Sequence, residues 1–366
     1  MADDFDEIFE EKQPEGVDIA TEKCPSCGAS LEFNPDKGVL YCTHCSTEVP
    51  FSSSKSNENA LDDLFNVAPQ WSAETKTFTC PNCGAKEIVG KDEIAKTCAF
   101  CGTPFVVEKS EISGMKPQAV VPFKFGTEKA IVKVKEWAKK KFYAPKTFKN
   151  DLTTENVRGL YQPAYTFDSH TQTSYYGRLY RNETYTVKQG KNYVTKTRRV
   201  YFNISGNYSH FFDDMLIYAS DTIPQKTVSK LEPFGTNNSE KYNDSFLHGY
   251  SATQYKLQGQ TAWSMAKNKM ETAIERAILS RYTYSGVSYF HKKVHHNAPS
   301  YKYLLLPIYI GHFNFQQKLY NFFINGETGK ITGKYPKSPL KVLATVGIAL
   351  AIIILLGILA VNYGGN

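Results

Sequence analysis

The chain has 366 residues, with 41% hydrophobic, 22% charged and 14% aromatic, enough for two or three domains and a sizeable core. Charge is divided: residues 1–110 hold 9 Lys and 20 Asp+Glu, a net of −11, so the remainder of a +7 chain carries +18. The acidic front argues against a nucleic-acid module of the usual kind there, because a phosphate backbone is bound mainly by basic side chains.

Residues 1–19 carry eight acids and one lysine and form an expected disordered acidic tail. Within it Phe5, Ile8 and Phe9 fall at i, i+3, i+4, the layout of a short helix that folds into a partner's groove. The tail lacks the apolar run of an export signal, so a reducing cytosol is the default environment.

All eight cysteines follow in two modules of one spacing. Cys24, Cys27, Cys42 and Cys45 lie in residues 20–50, and Cys80, Cys83, Cys98 and Cys101 lie in residues 71–108, with a linker at 51–70. Each module reads Cys-x2-Cys, fourteen residues, Cys-x2-Cys, and CPSCGA recurs as CPNCGA. Zn²⁺ takes four thiolates in a tetrahedron at ~2.3 Å, and two intervening residues let one tight turn present two sulfurs. Glycine after the turn permits the backbone to fold back with positive φ. The expectation is two zinc ribbons, each holding one Zn²⁺ on its four cysteines. His44, inside a knuckle, is expected to be a bystander. With net charge −4 over residues 20–110, these ribbons point to protein docking rather than nucleic acid.

An α+β body is expected over residues 109–338, aromatic-rich and dominated by antiparallel strands. A helix is expected from Thr127, as N-cap, to about Phe142. Ala130, Ile131, Val134, Trp137 and Ala138 share one face, and Lys129, Lys133, Glu136 and Lys140 share the other. That lysine face either solvates the helix or meets anionic lipid. The run LYQPAYTFD alternates as a strand, with Pro163 marking an edge or an end. A second amphipathic helix runs from about Gln258 to Ser280. Strands return at 286–294, 301–311 and 317–324, and Asn325-Gly326 signals a hairpin. Asp213-Asp214 reads as a solvated turn, His291, His295 and His296 as a basic surface, and the alternating tyrosines as a packed sheet. Walker, GxSxG and HExxH motifs are absent, and no catalysis is expected.

Val342 to Val361 is a twenty-residue run without a charge, long enough at ~1.5 Å per residue to span a bilayer. Lys330, Lys334, Lys337 and Lys341 precede it, which orients the bulk of the chain to the cytoplasm. Residues 339–366 are therefore expected to be a single-pass membrane anchor.

CPSCGA and CPNCGA, then KEWAKKKFYAP, GLYQPAYTFDSHT, FFDDMLIYAS, YKYLLLPIYIGHFNF and YNFFINGETGKITGKYPKSPLK, resemble a bacterial family of TFIIB-type zinc-ribbon proteins anchored in the membrane at the C-terminus. The resemblance runs from Cys24 to the apolar span. It implies a membrane anchor for partner proteins in envelope-stress response, beside a phage-shock-A-like protein. Many relatives have one ribbon; this chain has two. The function expected is a zinc-ribbon adaptor recruiting proteins to the cytoplasmic face of the membrane, and the alternative is a membrane-tethered nucleic-acid-binding protein in replication or phage DNA handling.

Overall fold

The computed structural model describes residues 23–66, 75–90, 95–106, 115–253 and 255–363. The acidic tail with Phe5, Ile8 and Phe9 lies outside them. The architecture is mixed α/β and mostly strand. β1 (Leu31–Asn34), β2 (Val39–Cys42) and β3 (Glu48–Val49) form the small antiparallel sheet of the first cysteine module. β4 (Asn59–Ala60) and α1 (Leu61–Asn66) follow. The second module holds two hairpins, β5 (Thr75–Thr79) with β6 (Lys86–Gly90) and β7 (Ala95–Thr97) with β8 (Pro104–Val106). Then come β9 (Ala119–Val120), α2 (Thr127–Lys139), α3 (Lys146–Asn150), β10 (Val157–Gln189), β11 (Asn192–Phe212), β12 (Ile217–Tyr218), α4 (Gln225–Val228), β13 (Glu240–Lys241) and β14 (Ser251–Thr253). α5 (Gly259–Leu279), β15 (Gly286–Phe315), β16 (Lys318–Asn325), β17 (Ile331–Gly333) and α6 (Pro339–Tyr363) complete the order.

One sheet of twelve strands is built around β10 against β15, which pair antiparallel from Val157↔Gly311 to Tyr180↔Gly286. Two short pairs, β10 with β14 and β15 with β9, are parallel. The first half of β10 is buried on both faces, from Leu160 to Phe167. From Thr171 to Leu179 its odd residues are buried and its even ones exposed, the period of a sheet covered on one side, and from Arg181 onward neither face is buried. The cover is α5, whose Trp263, Ala266, Met270, Ile274 and Ile278 pack on Tyr175, Leu179 and Ile204. Burial of each such side chain is worth about 1.5–3 kcal/mol as an upper estimate.

Pro163 is not at an edge. It pairs with Leu305 in the middle of the sheet. Its other side is the gap between β14, which ends opposite Tyr161, and β12, which begins opposite Ala164, so the missing N–H costs no ladder bond. Buried Gln162 closes the gap, donating to Ser220 O at 3.2 Å and accepting from Thr253 Oγ1 at 3.1 Å.

Thr127 is the first residue of α2 rather than its cap. Gly126 holds the cap position, and Asp36 of the first module supplies the carboxylate. It accepts from Gly126 N at 3.4 Å and from Lys129 Nζ at 2.6 Å, where the helix dipole favours negative charge. The helix ends at Lys139, short of Phe142. Ala130, Ile131, Val134 and Ala138 are its buried face, as the spacing predicts.

The stretch expected as a linker carries structure: Asn59–Ala60 pairs with Tyr301 and Ser300 of β15, and Leu61 is buried beneath α5. The three later strands expected separately are two. β15 runs unbroken for 30 residues and turns through Gln316-Gln317, both at positive φ, into β16. Asn325-Gly326 does begin a turn, a wider one in which Asn325 Oδ1 accepts from the amides of Glu327 and Thr328.

α6 leaves the body beside the end of α2. Lys341 Nζ donates to Phe142 O at 3.0 Å and Ala144 O at 2.9 Å, and Ser338 N donates to Tyr143 O at 2.8 Å. Among the described residues it is the one helix long and apolar enough to cross a membrane, and none of its apolar window is buried in protein.

Candidate metal centres

Each Cys-x2-Cys is a knuckle closed by one backbone bond. Gly28 N reaches Cys24 O at 2.8 Å, Ser46 N Cys42 O at 2.9 Å, Gly84 N Cys80 O at 2.9 Å, and Gly102 N Cys98 O at 3.0 Å. All four donors have positive φ, between 63° and 75°. Glycine stands at the return of three knuckles, as Gly28, Gly84 and Gly102, and Ser46 at 63° takes that place in the second. A serine in the left-handed region costs on the order of 1 kcal/mol, partly offset by glycine's larger unfolded-state entropy. Ser46→Gly is therefore expected to raise the stability of the first module by about 0.5 kcal/mol or more and to slow metal loss to a chelator. An unchanged midpoint and an unchanged metal-release rate would show that the φ is accommodated without strain.

The knuckles bring the sulfurs together in two sets, each with all ligand atoms within 4.8 Å of one another. Cys24 and Cys45 Sγ are 3.4 Å apart, Cys27 and Cys42 3.5 Å, and the pairs Cys80–Cys101 and Cys83–Cys98 3.6 Å. A tetrahedron with ~2.3 Å bonds has sulfurs roughly 3.8 Å apart, so each set fits one Zn²⁺ with little movement. Thiol acidity points the same way. Burial pushes the Cys24 thiol up, yet the amides of Ser26 and Cys27 outweigh it and hold the thiol at about 6. Burial likewise raises Cys101, but bonds from Thr103 bring it to about 6. Their neighbours go the other way. Cys27 is pushed up to about 12 against its bond from the Ala29 amide, by the thiols of Cys45 and Cys42 and by burial. Cys83 is pushed to about 11, chiefly by burial. Four thiolates cannot share such a space without a cation, and a divalent ion removes the conflict. His44 is exposed and outside the sulfur set.

Both modules are sewn into the body. Cys24, Leu31, Phe33, Leu40 and Cys42 share a core with Phe123, Phe246 and Tyr250. Phe33 stacks edge-on against Phe246 at 5.2 Å, and its amide donates to His248 O at 2.9 Å. Cys80, Cys98, Ala99 and Phe100 share a second core with Leu160, Ile308 and Ile310. Glu87 was not singled out by sequence. It is fully buried, accepting from Ala99 N at 2.9 Å and from Ser251 Oγ at 3.0 Å, so it ties the last knuckle to β14. A cleft of about 340 Å³ opens between the modules, lined by Glu32, Thr97, Arg158 and Tyr250 among others.

Three other clusters differ from expectation. Asp214 is not in a solvated turn. Its side chain is 6% exposed, its φ is 51°, and Lys302 Nζ lies 3.0 Å from Oδ1 and 2.7 Å from Glu58 Oε1. Asp168 Oδ1 accepts from Asp214 N at 2.7 Å. The three carboxylates are close enough to hold a metal, but the lysine ammonium stands where the ion would. Asp213, one residue before, is exposed and accepts from Asn237 Nδ2 at 2.9 Å. The histidines split by strand parity: His291 and His295 are exposed, while His296 turns toward α5, bonded to Ser169 Oγ at 3.1 Å and set against Trp263. Burial holds His296 below the usual imidazole range. The tyrosines split as well. Tyr161, Tyr165, Tyr301, Tyr303 and Tyr309 are buried as expected, but Tyr176, Tyr201 and Tyr289 are exposed.

No family model matches the chain, and no solved structure matches it. The chain is similar to a protein of Bacillus subtilis (strain 168) described as "Uncharacterized protein YdjG", 27% identical over 351 residues, which cover 95% of this chain and 99% of that protein.

Proposed function

We propose that this chain is a membrane-anchored zinc-ribbon adaptor that recruits partner proteins to the cytoplasmic face of the cell membrane, in an envelope-stress response of the phage-shock kind. The observation that carries the reading is α6. An apolar helix with no protein against it is costly in water and stable in lipid. It is not a loose tail, because Ser338 and Lys341 bind its base to Phe142–Ala144 of the body. Lys139, Lys140, Lys141, Lys337 and Lys341 surround that base, which supports a cytoplasmic body and contact with anionic headgroups. Phe142, 65% exposed beside the helix, is placed to enter the interface. The acidic modules support protein partners, and the family resemblance of the sequence implies a phage-shock-A-like protein among them. A second reading, nucleic-acid handling at the membrane, is favoured by the sheet face described below.

Truncation before Lys341 is expected to move the protein from the membrane pellet to the soluble fraction, with metal content retained. Full-length protein drawn from detergent extract is expected to bring down a phage-shock-A-like subunit, and zinc chelation to abolish that association. Retention of the truncated form after a high-salt wash would overturn the anchor, and loss of the subunit from extracts with zinc intact would overturn the adaptor.

A further inference from the structure

Between residues 169 and 180 the sheet of β11, β10 and β15 has α5 on one face and nothing described on the other, and beyond Tyr180 β10 and β11 continue as a two-stranded ribbon exposed on both faces. The bare face is set by parity: even residues of β10 and odd residues of β11 and β15. It carries Tyr176, Tyr201 and Tyr289, 57%, 43% and 42% exposed, alternating with Arg178, Arg199 and Lys293. Arg178 lies over the Tyr201 ring at 4.8 Å, and Tyr176 and Tyr289 are 6.5 Å apart with His291 between them, 4.9 Å from Tyr176. Arg199 lies over Tyr180 at 4.7 Å. Among the described residues this face has no carboxylate. The single acid between Ser169 and Phe212 is Glu183, which is on the other face and paired with Arg198 at 3.1 Å.

We infer that this face is a platform for single-stranded nucleic acid, with the tyrosines stacking bases and Arg178, Arg199 and Lys293 meeting phosphates. Cations interleaved with exposed rings on a sheet are what a sequence-tolerant single-strand site requires, since every base has a π-face and every step a phosphate. A duplex fits less well. Its major groove, about 12 Å wide, admits a helix or a two-stranded ribbon, whereas from Ser169 to Tyr180, where Tyr176, Arg178, Tyr289 and Lys293 lie, three strands present one face and α5 closes the other; of the named cations only Arg199, opposite Asn182, stands on the two-stranded extension beyond. The face is far along the strand from the membrane anchor. α6 is tied to Ala144, which shares a core with Val157 at the start of β10, and Tyr176 is about 60 Å further along the strand at ~3.3 Å per residue. The inference stands apart from the adaptor reading, because it uses neither the cysteine modules nor their partner.

The test uses the full zinc-loaded chain in nanodiscs of zwitterionic lipid, with fluorescent oligo(dT) and oligo(U) twenty-mers and a duplex of equal length as probes. Binding to the single strands is expected, stronger than to the duplex. Its log–log salt slope should be about −2 to −3, from ~0.7 per neutralised phosphate. Joint replacement of Arg178, Arg199 and Lys293 by Gln should flatten that slope by about two. Tyr176→Ala and Tyr289→Ala should each weaken binding about tenfold, at the lower middle of the range for lost stacking, without changing the slope. Tyr176→Phe and Tyr289→Phe should bind as the parent does, which separates ring stacking from any hydroxyl role and controls for folding. Duplex preference, binding indifferent to these substitutions, or no binding at 50 mM salt would overturn the proposal. So would equal competition by polyglutamate, which would assign the face to acidic proteins.

Discussion

Replacement of Cys98 and Cys101 by serine is expected to remove one of two bound zinc ions and to lower the thermal midpoint of the whole body, not of one module alone. Sequence suggests a ribbon that unfolds by itself. The packing argues otherwise: Cys98 is fully buried, its neighbours Ala99 and Phe100 share a core with Leu160 and Ile308, and β6 extends the main sheet through β14. When the knuckle opens, Ala99 N leaves Glu87, and a buried carboxylate loses one of its two donors. Metal loss of this kind belongs to the severe class, above about 4 kcal/mol, or a midpoint lower by roughly 10 °C for a body of this size. Metal analysis and a thermal scan followed by tyrosine signal decide it. A midpoint within about 2 °C of the parent, with one zinc gone, would show that the second module is thermodynamically separate.

The cysteine sets were legible because gathering four thiols for a metal ion fixes spacing locally: two residues per knuckle, glycine at the return, a hairpin between. The apolar helix was legible because an uncharged run long enough to cross a bilayer stands out with no partner. What could not be read depends on neighbours distant in sequence. Pro163 looked like an edge because nothing local reveals that β12 and β14 leave a gap opposite it. Gln316-Gln317 carries no turn signal, and its positive φ values are imposed by the pairing of Phe315 with Lys318. The tyrosine alternation was read correctly as strand. Which face was covered depended on α5, which lies some 80 residues from β10 in sequence. Even Asp36, which serves α2, comes from another module, 90 residues away from Gly126.

The exposed tyrosines and the buried lysine are two outcomes of one sheet. Where both faces are covered, as at Leu304–Ile310, a polar side chain must bring its partners with it. Where one face is bare, cations remain in water and are free to meet a ligand. Lys302 shows the first case. It is 6% exposed within YKYLLLPIYI, and nothing in that run discloses its partners Glu58 and Asp214, from β4's approach and from the turn after β11.

Lys302→Met is expected to destabilise the body by about 3–5 kcal/mol at pH 7, because it leaves Asp214 and Glu58, with Asp168 beside them, without their cation. The pH dependence follows from the signs. Burial raises Asp168 and Glu58 above the usual carboxylate range, so their ionised forms already cost stability at neutral pH. Without the lysine that cost grows, and protonation relieves it; the deficit of the variant should therefore shrink as pH falls from 7 toward 4. Lys302 moves the other way. Burial alone lowers it, but bonding to Glu58 and the charge of Asp214 outweigh burial and raise it. Its contribution is full below the unfolded value of about 10.4 and fades as pH climbs through the folded value above that. Denaturant titrations of parent and variant at pH 4.5, at pH 7 and at about pH 11.5, above the unfolded lysine value, measure all three limbs. The double variant Lys302→Met, Asp214→Asn should recover part of the loss at pH 7, since removing both partners of a buried pair costs less than removing one. A variant within 1 kcal/mol of the parent at pH 7, or a deficit that widens in acid, would show that solvent already compensates the cluster and that Lys302 is dispensable.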